Sequence, residues 1–256
     1  MLESLLARLP DSALVLDVGG WASPQARADW VIDLQPYETR NWYETIGGRR
    51  REGEERFTAE SWVVHDVCAP GPWPFDDGAF DFAICSQTLE DVRDPVKVCF
   101  ELSRVARAGY VETPAAATEL TRGIESPLWC GWRHHRWLVE PEGDGLVFLG
   151  KPHHVHSPLW PAIRSPRFLH SRDDLCVAWE GELPAREEIL IDAAALDRRL
   201  LEIVERGSRA DAVGAARRRT FSAAWQGYRA ARTGAGRVVR GSASGPADAA
   251  GGPPAK

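Results

Sequence analysis

Lysine is almost missing from this chain: of 31 basic residues only those at 97, 151 and 256 are lysine, and the rest are arginine. That bias toward arginine and alanine says little about function. Cysteine is sparse and odd in number, and Cys68, Cys85, Cys99, Cys130 and Cys176 form no CxxC pair. A disulfide framework is excluded, and a reducing, cytoplasmic setting is expected. Long apolar runs are lacking too. The opening stretch MLESLLARLP carries Glu3 and Arg8, so neither a signal peptide nor a membrane span is expected. Nor is there a strong excess of one charge. A net charge of −6 gives no broad attraction to nucleic acid or to an anionic membrane, and neither is expected as a partner. Local basic clusters, such as Arg217, Arg218 and Arg219, read as a solvated face.

What is present argues for a folded core. Hydrophobic residues make up 44% of 256 positions and eleven are tryptophan, enough for a substantial interior. A short amphipathic helix is expected over 2–9, stopped by Pro10. Apolar runs bounded by turns then recur at Ala13–Val18, Trp30–Leu34, Trp62–Val67, Phe80–Cys85 and Gly109–Thr113, as strands buried on both faces do. Asp94 followed by Pro95 marks a helix start, with apolar spacing running to about Arg107. Strand, crossover and strand in repetition predict an α/β fold, a doubly wound and mostly parallel sheet. Residues 35–60 are polar and read as an insertion or lid. Beyond Pro114, two apolar runs flank EGDG, a hairpin signal. Leu175–Glu180 and Glu187–Asp192 are expected as the last two strands of the same sheet, followed by a helix over Ala193–Glu205. The expected domains are a core over 1–114, a hairpin-containing cap over 115–170, completing elements over 171–208, and a basic helix with a disordered tail over 209–256.

Ligands of open α/β sheets sit beyond the carboxyl ends of the strands, where strand order reverses. Gly19 and Gly20 close the run VLDVGG and leave no Cβ to obstruct a cofactor. Asp33 ends the second run, placed to accept hydrogen bonds from ribose hydroxyls. Asp66 follows the third, placed to accept from an adenine amino group, with Val67 covering the ring. Taken singly, each acid reads equally well as a turn or strand-end residue. The ordered series Asp17, Asp33, Asp66 is the stronger signal.

Residues 13–114 resemble the class I methyltransferases that use S-adenosylmethionine (SAM), particularly the small-molecule branch called type 11. The resemblance rests on VLDVGG, VIDL, HDVCAPGPWPFDDGAFDFAICSQTLEDVRDP and ELSRVARAGYVETP. It implies SAM as cofactor, with Asp17 and Gly19 near its methionine moiety and Gly20 in the same turn. It further implies Asp33 at the ribose, Asp66 and Val67 at the adenine, and Ser86 and Gln87 lining the cofactor. The turn departs from the family pattern: GGWASP stands where three spaced glycines are usual, and the following helix is expected to be very short. A nicotinamide-dependent oxidoreductase is the rival enzyme class, disfavoured because GxGxxG is missing. A degenerate SAM-fold binding protein is the non-enzymatic rival.

Five of seven histidines fall between His134 and His156, around the expected hairpin. His134 and His135 are expected to face His153 and His154 across its strands and to act as general base toward an acceptor. Ordinary polar positions and a metal site with Cys130 are the other readings. No H-x₃₋₅-H spacing occurs, so no metal is expected. Glu90 and Asp91 read either as substrate contacts or as solvated carboxylates at a helix start. The expected reaction is methyl transfer from SAM to oxygen or nitrogen of a small molecule, with a sugar among the acceptors the nearby tryptophans would suit.

Overall fold

A computed structural model describes residues 1–47, 54–164 and 174–207 of the chain. In chain order the elements are α1 (Leu2–Leu6), β1 (Val15–Val18), β2 (Trp30–Asp33), α2 (Trp42–Thr45), β3 (Trp62–Val64), β4 (Phe82–Ser86), α3 (Pro95–Val105) and β5 (Ala108–Pro114). They continue with α4 (Ala116–Glu119), β6 (Trp137–Glu142), β7 (Gly145–Gly150), β8 (Asp174–Glu180), β9 (Ala185–Glu188) and α5 (Ala193–Gly207). The expected basic helix over 209–232 and the tail beyond it lie outside the described residues.

The main sheet runs β3-β2-β1-β4-β5-β8, its first five strands parallel and β8 antiparallel at the edge. Strand order reverses between β1 and β4, which puts the ligand crevice at their carboxyl ends. Alternation along the strands divides the core. Leu16, Val18, Ile32, Ala83, Cys85 and Val111 face α3, whose Val98, Cys99, Leu102 and Val105 are buried against them. Val15, Val31, Phe82, Ile84 and Tyr110 face the other way, onto Leu2 and Leu6 of α1 and onto Phe57. Each fully buried aliphatic side chain on α3 contributes about 1.5–3 kcal/mol. The start of α3 is fixed as the Asp-Pro signal predicts: the Asp94 carboxylate accepts from Lys97 N at 2.9 Å, and Pro95 occupies the first turn.

A second sheet, β6-β7-β9, lies between this core and α5. Val139, Leu146 and Phe148 pack toward the α3 side, while Leu138 and Leu149 join a separate cluster with Leu200, Ile203 and Val204 of α5. The hairpin expected around EGDG is β6 and β7. The last expected strand is corrected: its segment forms β9, which pairs in parallel with β7 instead of extending the main sheet. The cause is a close backbone approach. Leu146 N donates to Pro184 O at 2.8 Å, and a Cβ on Gly145 would lie 2.1 Å from that oxygen.

Two further expectations change. No helix follows β1; the eleven residues to β2 are turns and irregular chain. β3 also ends earlier than predicted, because Asp66 turns the chain by accepting from Cys68 N at 2.9 Å.

Candidate active site

The turn after β1 is built around Asp17. Its buried carboxylate accepts from Gln25 N at 2.7 Å, so it anchors the loop that stands where a helix would begin. Gly20 lies directly over that carboxylate: a Cβ there would be 2.4 Å from Asp17 Oδ2. Gly19 has φ +75°, and its Cβ would be 2.3 Å from Thr88 Oγ1 on the loop after β4. Both glycines are therefore required, one by conformation and contact, the other by contact alone.

Asp33 sits at the end of β2 beside this turn. Its Oδ2 accepts from Trp21 N at 3.0 Å and its Oδ1 from Gln35 N at 2.8 Å. Burial raises its pKa above the usual carboxylate value, against the lowering effect of those backbone donors. The carboxylate keeps lone-pair capacity for a ligand hydroxyl. Trp21 stacks on Trp42 at 5.7 Å, closing the loop toward α2.

At the end of β4, Ser86 Oγ is buried with no hydrogen-bond partner among the described residues. Gln87 follows with φ +53°, a left-handed conformation uncommon outside glycine, and its N donates to Glu112 O at 2.7 Å. An orphaned buried hydroxyl next to a strained backbone fits a site that takes a polar ligand. Asp17, Gly19, Gly20, Asp33, Ser86 and Gln87 thus gather at the ends of three adjacent strands. Asp66 lies one strand further out, beyond β3. Arg93 holds it in an ion pair at 2.7 Å and keeps its carboxyl below the usual range, so a ligand amine would share that carboxylate with a guanidinium. Val67 is buried beside it, and its carbonyl accepts from the Trp73 indole at 2.9 Å.

The histidines are arranged differently from expectation. His134 and His135 precede β6, and His153–His156 form a single 3-10 turn after β7, so the two pairs do not face each other across strands. His135 instead turns into the interior, with Nδ1 2.8 Å from Glu119 Oε1. Glu119 is fully buried and also accepts from Lys151 Nζ at 2.5 Å. Lys151 donates in addition to Trp132 O at 2.8 Å, and Trp132 stacks on the His135 ring at 5.0 Å. On the open side, His134 Nε2 lies 3.8 Å and His135 Nε2 4.0 Å from the Asp91 carboxylate. Arg136 N donates to Glu90 O at 2.7 Å, which ties this segment to the loop after β4.

Glu90 is not a solvated helix-start residue. It is buried, and burial raises its pKa well above the usual carboxylate value, reinforced by Asp91, Glu119 and Asp174 nearby. Glu119 and Lys151 were missed in the sequence. Glu119 sits in the bland stretch AATEL and carried no signal. Lys151 carried one, as one of only three lysines in an arginine-rich chain.

Residues 39–111, from the turn before α2 into β5, match the family model described as a methyltransferase domain, type 11. No curated protein matches the chain. A SAM-dependent methyltransferase from Aquifex aeolicus is similar at 19% identity and a TM-score of 0.29, over 44% of this chain and 64% of that one. One from Mesorhizobium loti is similar at 15% identity and a TM-score of 0.31, over 58% and 62%. The [4+2]-cyclase SpnF is similar at 21% identity and a TM-score of 0.31, over 44% of this chain and 43% of that one. The chain spans about half the length of several solved structures it matches, 51% and 49% in two cases. The sheet order and the matched stretch are those of the class I methyltransferase fold. Among the described residues no helix is long and apolar enough to cross a membrane.

Proposed function

We propose that this chain transfers the methyl group of SAM to oxygen or nitrogen of a small molecule, a sugar being one class that Trp132 and its stacked imidazole would suit. When bound, SAM supplies an electrophilic methyl on a sulfonium. Gly19, Gly20 and Asp17 would form the seat of its methionine end, Asp33 would take the ribose, Asp66 and Val67 the adenine, and Ser86 and Gln87 the near wall. His134 and His135 would meet the acceptor. The observation that carries the reading is Glu119 holding His135 by Nδ1, since a carboxylate only accepts and therefore fixes the proton there, leaving Nε2 turned toward Asp91. That side adjoins the loop whose Thr88 touches the glycine turn. Methyl transfer needs the acceptor held in line with the sulfonium carbon, and fixed groups of this kind serve that alignment.

Thermal-shift measurements with SAM, S-adenosylhomocysteine and NAD test the cofactor. A sulfur ligand at a hundredfold excess over its Kd should stabilise the chain by about 2.7 kcal/mol. No shift with either, or a shift with NAD alone, refutes the reading. A second reading, SAM binding without methyl transfer, is favoured by the missing helix after β1 and by the backbone donors already on Asp33. Stabilisation by SAM with no methylated product from any hydroxyl or amine acceptor supports it.

A further inference from the structure

We propose that Asp91, His134 and His135 form a binding site for a divalent transition cation of the zinc type. One ligating atom from each lies within 4.8 Å of the other two. At 3.8 and 4.0 Å, the imidazole–carboxylate separations are too long for hydrogen bonds. Asp91 Oδ1 is shielded from solvent and has no hydrogen-bond partner among the described residues. The three groups thus face one another across a gap with no hydrogen bond from either imidazole to the carboxylate. Metal–ligand lengths near 2.0–2.1 Å would place tetrahedral ligand atoms about 3.3 Å apart, a contraction of roughly 1 Å. The side chains of His134 and Asp91 are 62% and 40% exposed and free to make it.

The interior side of the cluster is built as the support of such a site. Glu119 accepts a hydrogen bond from His135 Nδ1–H, which orients the ring and presents the Nε2 lone pair toward Asp91. Lys151 at 2.5 Å balances the Glu119 charge. A carboxylate behind a ligating histidine is the usual outer support of a metal-bound imidazole. Two imidazoles with one carboxylate suit zinc, cobalt or nickel better than magnesium or calcium. Three protein ligands leave a fourth position for water or a substrate oxygen. Cys130 takes no part: its buried thiol donates to Val155 O at 3.1 Å. The inference deepens the acceptor site above. That the fourth position receives the acceptor rests on the methyl-transfer reading, whereas binding of the cation does not.

The test uses the full chain stripped with a chelator. Cobalt(II) is added and its visible ligand-field bands are followed, and zinc affinity is read by competition with a chromophoric chelator. One equivalent should bind with the band intensity of a four-coordinate site. His134→Asn and Asp91→Asn should abolish the bands with circular dichroism unchanged. Glu119→Gln should weaken zinc binding roughly 10- to 100-fold, and His153→Asn should leave it as it was. A folded wild-type chain without bands, or binding unchanged in both His134→Asn and Asp91→Asn, overturns the proposal. Stabilisation by S-adenosylhomocysteine without cobalt bands would sink the cation site alone. Cobalt bands without that stabilisation would support the cation site and sink only the methyl-transfer reading.

Discussion

Replacing Lys151 by methionine keeps the length of the side chain and removes the counter-charge of a carboxylate with no access to water. The Glu119 side chain is 0% exposed and that of Lys151 2%. Removing one partner of a buried ion pair leaves the other uncompensated, at a cost of about 3–5 kcal/mol. Two local details set where in that range the loss falls. Glu119 keeps its hydrogen bond from His135, which moderates the cost. The hydrogen bond from Lys151 Nζ to Trp132 O is lost as well, which adds about 1 kcal/mol. The expected loss is therefore about 4 kcal/mol, or roughly 10 °C in Tm for a domain of this size. Urea unfolding followed by tryptophan fluorescence measures it. The double variant Glu119→Gln/Lys151→Met, neutral at both positions, should recover more than half of the loss, because it is the unpaired charge that costs most. A single-variant loss under about 1 kcal/mol would refute the reasoning, as would a double variant no more stable than the single.

Gly19→Ala should cost about 1–3 kcal/mol, since the position has φ +75° and the new methyl would meet Thr88. Adding Thr88→Ala should return only part of this, and full recovery in urea melts would show that backbone conformation is not a constraint there. Asp33→Asn should weaken SAM binding about tenfold, equivalent to about 1.4 kcal/mol. Unchanged affinity by calorimetry would remove Asp33 from the cofactor site. His156 gives a pH signature. Burial, with Lys151, His153 and Arg122 nearby, lowers its pKa from the ordinary 6.5 to about 4. The unfolded chain therefore binds the extra proton first, so this contribution is complete above pH 6.5 and is lost as pH falls toward 4. His156→Gln should flatten that part of the stability profile, and an identical slope in the variant would refute it.

The residues that define the main sheet were legible because each rests on a local rule. An apolar run closed by Gly19-Gly20, a run closed by Asp33 and the Asp94-Pro95 cap each specify an element within a few positions of themselves. That the positions proposed for the cofactor gather together was legible for the same reason, since strand ends in a parallel sheet fall on one edge. Their hydrogen-bonding was not: Asp33 serving Trp21, and Asp66 paired with Arg93, depend on loops that return from 12 and 27 residues away. The histidines mark the limit most clearly. Their proximity in sequence suggested a facing pair, yet the partner of His135 is Glu119, brought there by α4, and the partner of Glu119 is Lys151, brought by the end of β7. Hydrophobic period states which side of an element is buried, not which element covers it. By itself the sequence determined the five parallel strands of the main sheet, the helix α3 and the edge at which a ligand is proposed to sit. Only the tertiary structure decided which charges meet behind that edge, because a buried ion pair closes through space between segments whose local signals carry no record of each other.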